Sequence, residues 1–180
     1  SWVASDCRQI DAAGEVLHEH WYFHAPALRL AAQSREAQFA AMFFNRNYLC
    51  FTTILWKREV TDTVGPFETK GGLSVDVYMW LKFLNKYRFA YLDERLMRYR
   101  WAQNESLKNT EMDWLFDDFV ARRDFARDFS LPAYFMARLR ARYGTRFLHH
   151  YLSSRLRGDA RVIEFGEPRV VIVELGEDLQ

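Results

Sequence analysis

Val75-Asp76-Val77-Tyr78-Met79-Trp80-Leu81-Lys82 leads into Tyr91-Leu92-Asp93-Glu94-Arg95-Leu96-Met97-Arg98-Tyr99-Arg100, and this passage decides the fold class. From Asp76 onward, Val77, Trp80, Leu81, Leu84 and Tyr87 recur at helical spacing. Residues 89–92 and 95–101 then read as strands. In the second, Met97, Tyr99 and Trp101 point one way while Leu96, Arg98 and Arg100 point the other. Helix and strand in alternation argue for an α/β protein.

Working toward the N-terminus, residues 64–74 form a glycine-rich connection containing Gly65-Pro66-Phe67-Glu68. Residues 48–56 are apolar or threonine-rich on both faces, which predicts a central buried strand. Pro26 marks the start of a helix running to about residue 44, with Leu28, Ala31, Ala32, Phe39, Met42 and Phe43 on its inner side. Residues 2–10 read as a strand, Asp11-Ala12-Ala13-Gly14 as a turn, and 15–22 as its return strand.

Beyond residue 107 the character changes. Met112, Leu115, Phe116, Phe119 and Val120 mark one amphipathic helix. Ser130 and Pro132 open a second that carries Phe135, Met136, Leu139 and Tyr143. Gly144 is a candidate break and Gly158 a candidate stop. Residues 161–165 and 169–173 suggest a terminal β-hairpin. The expected architecture is a mixed sheet with flanking helices (1–107), followed by a helical extension with a terminal hairpin (108–180).

The chain's 180 residues and 49% hydrophobic content fit a globular protein with a sizeable core, and its 17% aromatic content predicts a bulky one. A formal net charge of +1 argues against a dedicated nucleic-acid binder. Cys7 and Cys50, without C-x-x-C spacing, do not suggest a disulfide scaffold or a zinc ribbon. No apolar run approaches the ~20 residues that span a bilayer. A cytoplasmic setting is the default expectation.

Asp76 is the first candidate for chemistry. On the residues alone, an aspartate at a helix start caps it by accepting first-turn amides. The ordered series of motifs adds a second reading, because it resembles the acceptor half of family 2 glycosyltransferases of the GT-A fold. The matching pieces are Ser5-Asp6, the hairpin Asp11 to Gly14, the Asn47 segment ending in Lys57-Arg58-Glu59, and Gly65 to Glu68. Val75 to Lys82 and the closing Tyr91-Leu92…Leu96…Tyr99-Arg100 complete it.

That resemblance implies an inverting transfer from a nucleotide-sugar donor to a glycan or lipid-linked acceptor. Asp76 would be the base that takes the proton of the acceptor hydroxyl. Trp80 and Tyr99 would offer aromatic walls to a sugar ring. Arg100 would neutralise a phosphate or anchor the Asp76 loop. Capping and base catalysis conflict, since backbone amides lower a carboxylate's pKa. If Asp76 is the base, Ser74 is expected to do more of the capping.

The sequence departs from the family pattern in three places. Val75 stands where the family has an acidic residue, and Tyr-Arg-x-His reads Tyr99-Arg100-Trp101-Ala102. Ala102 has no ligand atom, which leaves Gln103 or Asn104 as substitutes. The resemblance also implies a divalent metal, Mg or Mn. Its Asp-x-Asp ligands are not identifiable, because Asp6 and Asp11 lack that spacing. The third departure is that the family's donor-binding strands precede its Ser-Asp strand, whereas this sequence starts at Ser1-Trp2, so the sheet is expected to expose a hydrophobic edge. A fragment, a proteolysed product, or part of an assembly, a homo-oligomer among them, would account for that. The alternative function is a non-catalytic binding or scaffold protein derived from such an enzyme.

Two further clusters stand out. His18 and His20 would share one strand face, with His24 nearby, a spacing that chelates transition metals but equally suits a metal-free hairpin arm. Residues 121–157 hold nine arginines against two acids, and Arg138, Arg142 and Arg146 fall at i, i+4 and i+8. Such a stripe reads as a solvated face or as peripheral contact with an anionic membrane surface.

Overall fold

The computed structural model describes residues 2–70, 72–100, 111–157, 163–165 and 170–172. Strand β1 (Trp2–Ile10) is buried along almost all of its length because it is the middle of the sheet. One edge of β1 pairs antiparallel with β3 (Ile54–Trp56) at its start and with β2 (Val16–His18) at its end. The other edge pairs in parallel with β4 (Phe89–Arg100) over its full length. The result is a mixed four-stranded sheet within an α/β fold.

The β1–β4 register runs Trp2 opposite Phe89 to Ser5 opposite Leu92, then jumps to Asp6 opposite Arg95 and Cys7 opposite Met97. The extra residues, Asp93 and Glu94 among them, bulge out of the ladder, and such bulges re-aim side chains. Asp93 is turned in this way toward α1 (His24–Ala31). Among the described residues, no strand covers the outer edge of β4, where Leu92, Leu96 and Met97 are exposed.

Helix α4 (Val75–Lys86) buries every residue from Val77 to Leu84. A helix apolar all round must be covered all round. Trp80 and Phe83 lie against Trp2 of β1, and Tyr78 meets Phe125 of α5 (Glu111–Asp128) on the other side. Lys82 is buried with them, donating to the Pro66 carbonyl (3.1 Å) and to Glu68 (2.9 Å). Gly65-Pro66-Phe67-Glu68 is therefore a clamp, with Phe67 on Trp80 and Glu68 on Lys82.

The helix expected from Pro26 to about residue 44 is two helices, α1 and α2 (Arg35–Phe44). Ser34 caps α2 by accepting the Ala37 amide, so the chain restarts there instead of continuing. Buried Gln38 then ties three elements together. It bonds the Leu30 and Ala31 carbonyls at the end of α1 and both backbone groups of Phe89 at the start of β4.

The central strand expected at 48–56 shrinks to β3, which follows a 3-10 turn (Phe51–Thr53) and sits at an edge. The return strand expected at 15–22 is only Val16–His18, after a turn in which Gly14 takes φ +92°. Helix α3 (Arg58–Val64) was not legible in the sequence, being short and mostly polar. Residues 89–92 and 95–100 form one bulged strand instead of two.

Helix α6 (Ala133–Arg157) runs straight through Gly144. Ala121, Phe125, Leu139, Tyr143 and Phe147 of α5 and α6 belong to the same buried cluster as Trp2, Phe43 and Trp80. The change at residue 107 is thus a change of composition within one continuous core. Strands β5 (Ile163–Phe165) and β6 (Val170–Ile172) pair antiparallel as a hairpin. Gly158 and residues 101–104 lie outside the described residues. Among the described residues, no helix is long and apolar enough to cross a membrane.

Candidate active site

Asp76 sits in the first turn of α4, one residue past Val75. Its Oδ1 accepts the Val77 amide at 2.8 Å, and its Oδ2 accepts the side-chain amide of Asn47 at 2.7 Å. Ser74 occupies the N-cap position, yet its hydroxyl caps nothing. The expectation that Ser74 would do the capping is therefore corrected. A 3-10 turn (Gly72–Ser74) feeds directly into α4, and Asp117 of α5 takes the Leu73 amide at 2.8 Å. Gly72 takes φ +51° there, a conformation that favours glycine, and a Cβ would lie 2.4 Å from the Asp117 carboxylate.

Partial burial pushes the Asp76 carboxyl up to about 6. The Val77 amide, Asn47 and the nearby Arg122 guanidinium restrain that rise by favouring the charged form. A carboxylate tuned in this way takes protons near neutral pH far better than an ordinary surface aspartate.

The carboxylate borders a cavity of about 930 Å³ between α4 and the two C-terminal helices. Asn47, Ser74 and Val77 line it near Asp76, while Trp114, Leu115 and Asp118 come from α5. Arg46, Arg142 and Arg146 supply a positive wall. Arg46 rests over Phe23 at 5.1 Å and Arg146 over Tyr143 at 5.7 Å. Arg142 donates to the Asn45 carbonyl (3.3 Å), but its buried Nε has no partner among the described residues. Burial, then repulsion from Arg146 and Arg46, holds the Arg142 pKa below its usual value. A cluster of like charges with an unsatisfied donor favours an anion in the adjoining space.

Two of the three arginines of the stripe therefore face the cavity. Arg138 packs over Phe44 at 4.3 Å while remaining exposed, and the half-buried Arg142 and Arg146 border the cavity. Arg122 is wholly buried. It donates to the Met42 carbonyl at 2.9 and 3.1 Å, finishing the C-terminal end of α2. It also pairs with Asp118, which Tyr143 bonds from α6.

The other expected substrate contacts lie elsewhere. Trp80 is fully enclosed, stacked on Trp2 at 5.6 Å and ringed by Phe51, Trp56 and Phe67. It has no free face for a sugar, and its role is in the core. Tyr99 lies on β4 with its ring against Trp21 at 5.8 Å, and Arg100 is exposed at the strand's end. Neither lines the Asp76 cavity. Of the arginines that do, Arg142 and Arg146 were visible in the sequence as part of a stripe, whereas no sequence signal pointed to Arg46.

Among the described residues, the cavity offers an implied Mg or Mn two carboxylates, Asp76 and Asp118. Hard dications take six or more oxygen ligands, largely carboxylates, carbonyls and water. Asp118 is engaged by Arg122 and Tyr143, Asp76 by Asn47 and the Val77 amide, and three arginines oppose added positive charge.

The histidines regroup. His18 turns to Tyr22, with ring centroids 5.2 Å apart. His20 and His24 stack at 4.6 Å and converge on Asp6, a buried residue of β1. The sequence reading placed His20 with His18 because it extended β2 too far.

No protein-family model, no curated protein and no solved structure matches this chain.

Proposed function

We propose that this chain is the acceptor side of a GT-A-like, inverting glycosyltransferase that uses a nucleotide-sugar donor, with Asp76 as its base. The observation that carries this reading is a single one. The Asp76 carboxylate, raised to about 6, opens on a cavity of about 930 Å³ beside Arg46, Arg142 and Arg146, for which no carboxylate partner is seen among the described residues. Asp76 would take the proton of an acceptor hydroxyl as that oxygen attacks the anomeric carbon, expelling the nucleotide diphosphate with inversion. Arg46, Arg142 and Arg146 suit an acceptor bearing phosphate, as a lipid-linked sugar does.

The test is sugar transfer from labelled nucleotide-sugar donors to phosphate-bearing acceptors, comparing the chain with Asp76→Asn. Loss of turnover with an unchanged circular dichroism spectrum supports the base role, and equal turnover rejects it.

The three arginines lining the cavity also suit a second reading, a non-catalytic binder of sugar phosphates using the same cavity. In that case Arg142→Ala weakens binding while Asp76→Asn leaves it intact, and neither protein transfers sugar.

A further inference from the structure

Asp6 is 1% exposed, yet it is surrounded by polar groups arranged with unusual economy. Its Oδ1 accepts two backbone amides, Cys7 at 2.8 Å and Trp21 at 2.9 Å. That leaves Oδ2 for the two imidazoles, with His20 Nδ1 at 2.5 Å and His24 Nδ1 at 3.5 Å. The three donor atoms all lie within 4.8 Å of one another. On the far side of His24, Nε2 meets Asp93 Oδ1 at 3.1 Å, the carboxylate that the β4 bulge delivers. A proton held between Nε2 and Asp93 leaves Nδ1 with its lone pair directed at the Asp6 oxygen. Tyr91 OH stands 3.3 Å from that nitrogen.

We infer that Asp6, His20 and His24 form a binding site for a first-row transition-metal dication of the zinc class, separate from the Asp76 cavity. Two imidazoles and one carboxylate are a borderline donor set, which suits zinc and its neighbours and not magnesium. Tetrahedral zinc places its ligand atoms about 3.3 Å apart. Closure therefore needs His20 to swing slightly outward and the wider pair to draw in. His20 is exposed, in the bend before Trp21, and free to make that motion. The outer contacts are already in place: Asp93 orients His24, and two amides orient Asp6. Such contacts tune metal sites as strongly as the ligands themselves. A fourth position stays open to water.

The ion would clip β1, the segment entering α1 and, through Asp93, the bulge of β4. Phe23, next to His24, lines the Asp76 cavity, so the clip would also hold one wall of that cavity.

The test is titration of the purified chain with zinc by calorimetry, with melting followed in parallel. Stoichiometric 1:1 binding and a Tm that climbs with zinc concentration are expected, with magnesium silent. His20→Ala, at an exposed position, should abolish both effects without disturbing the fold. Asp93→Asn should weaken binding by about tenfold. His18→Ala should change nothing. Cobalt substitution should give visible bands of a four-coordinate site, lost with His20→Ala. No saturable 1:1 binding, or equal affinity after His20→Ala, would show a simple His20–Asp6 ion pair and overturn the site.

Discussion

The side chain of Asn47 reaches 29 residues along the chain to donate to Asp76 Oδ2 at 2.7 Å. That amide stabilises the charged carboxylate against the burial that disfavours it. Asn47→Ala removes the donor and leaves the burial. A hydrogen bond to a charged group contributes ~1.5 kcal/mol, so the Asp76 pKa should rise by about one unit. In a transfer assay the acid limb of the pH profile would move alkaline by that amount. An unmoved limb would separate Asn47 from the titrating group.

Asp76 also sets a pH dependence of stability. The folded chain holds this proton up to about pH 6, whereas the unfolded chain releases it near 3.8. Between those values the folded state binds more protons, so the Asp76 contribution to stability falls as pH rises through the window and then levels off. The difference in unfolding free energy between Asp76→Asn and the parent should widen across it in favour of the variant, by up to about 3 kcal/mol. Urea denaturation at pH 4, 5, 6 and 7 measures this. A flat difference would mean that the carboxyl titrates normally.

Lys82 and Glu68 are coupled across a buried boundary. Glu68→Gln strips the enclosed ammonium of its closest charge, and should cost about 2 kcal/mol, below the ~3 to 5 of a fully buried pair because Glu68 keeps 36% of its side-chain exposure. Lys82→Met in the Glu68→Gln background should recover much of that loss. A double-mutant cycle reports the coupling, and strictly additive losses would deny it.

Trp80 distinguishes a packing role from a sugar-stacking one. Trp80→Ala should destabilise the fold by about 3–5 kcal/mol through the void it leaves against Trp2 and Phe83. Trp80→Phe should retain most of the stability, with substrate affinity unchanged. A selective rise in KM with full stability would instead place the indole at the substrate.

Elements that bury one regular face were legible in the sequence, and elements defined by long-range partners were not. Residues 75–86 announced a helix through the spacing of Val77, Trp80, Leu81 and Leu84, and β1 and the Gly14 turn were equally plain. The break at Ser34 was missed because Ala31, Phe39 and Met42 keep an apolar period across it. Residues 48–56 misled because Phe51 and Leu55 are apolar yet exposed, and only the pairing of β3 with Trp2–Ala4 reveals an edge. Asp76 could be singled out from its place in a motif series. Its amide partner, its arginine wall and the meeting of Asp6 with His20 and His24 come from segments distant in sequence, which no local pattern brings together.

The guanidinium of Arg122 on the Met42 carbonyl has a bearing on biosynthesis. Helix α2 emerges from the ribosome some eighty residues before the side chain that completes its last turn. Until α5 follows, those carbonyls have only water to bind and Phe43 and Phe44 lack part of their cover. The nascent sheet-bearing region should therefore remain open to chaperones and proteases until translation has passed residue 122.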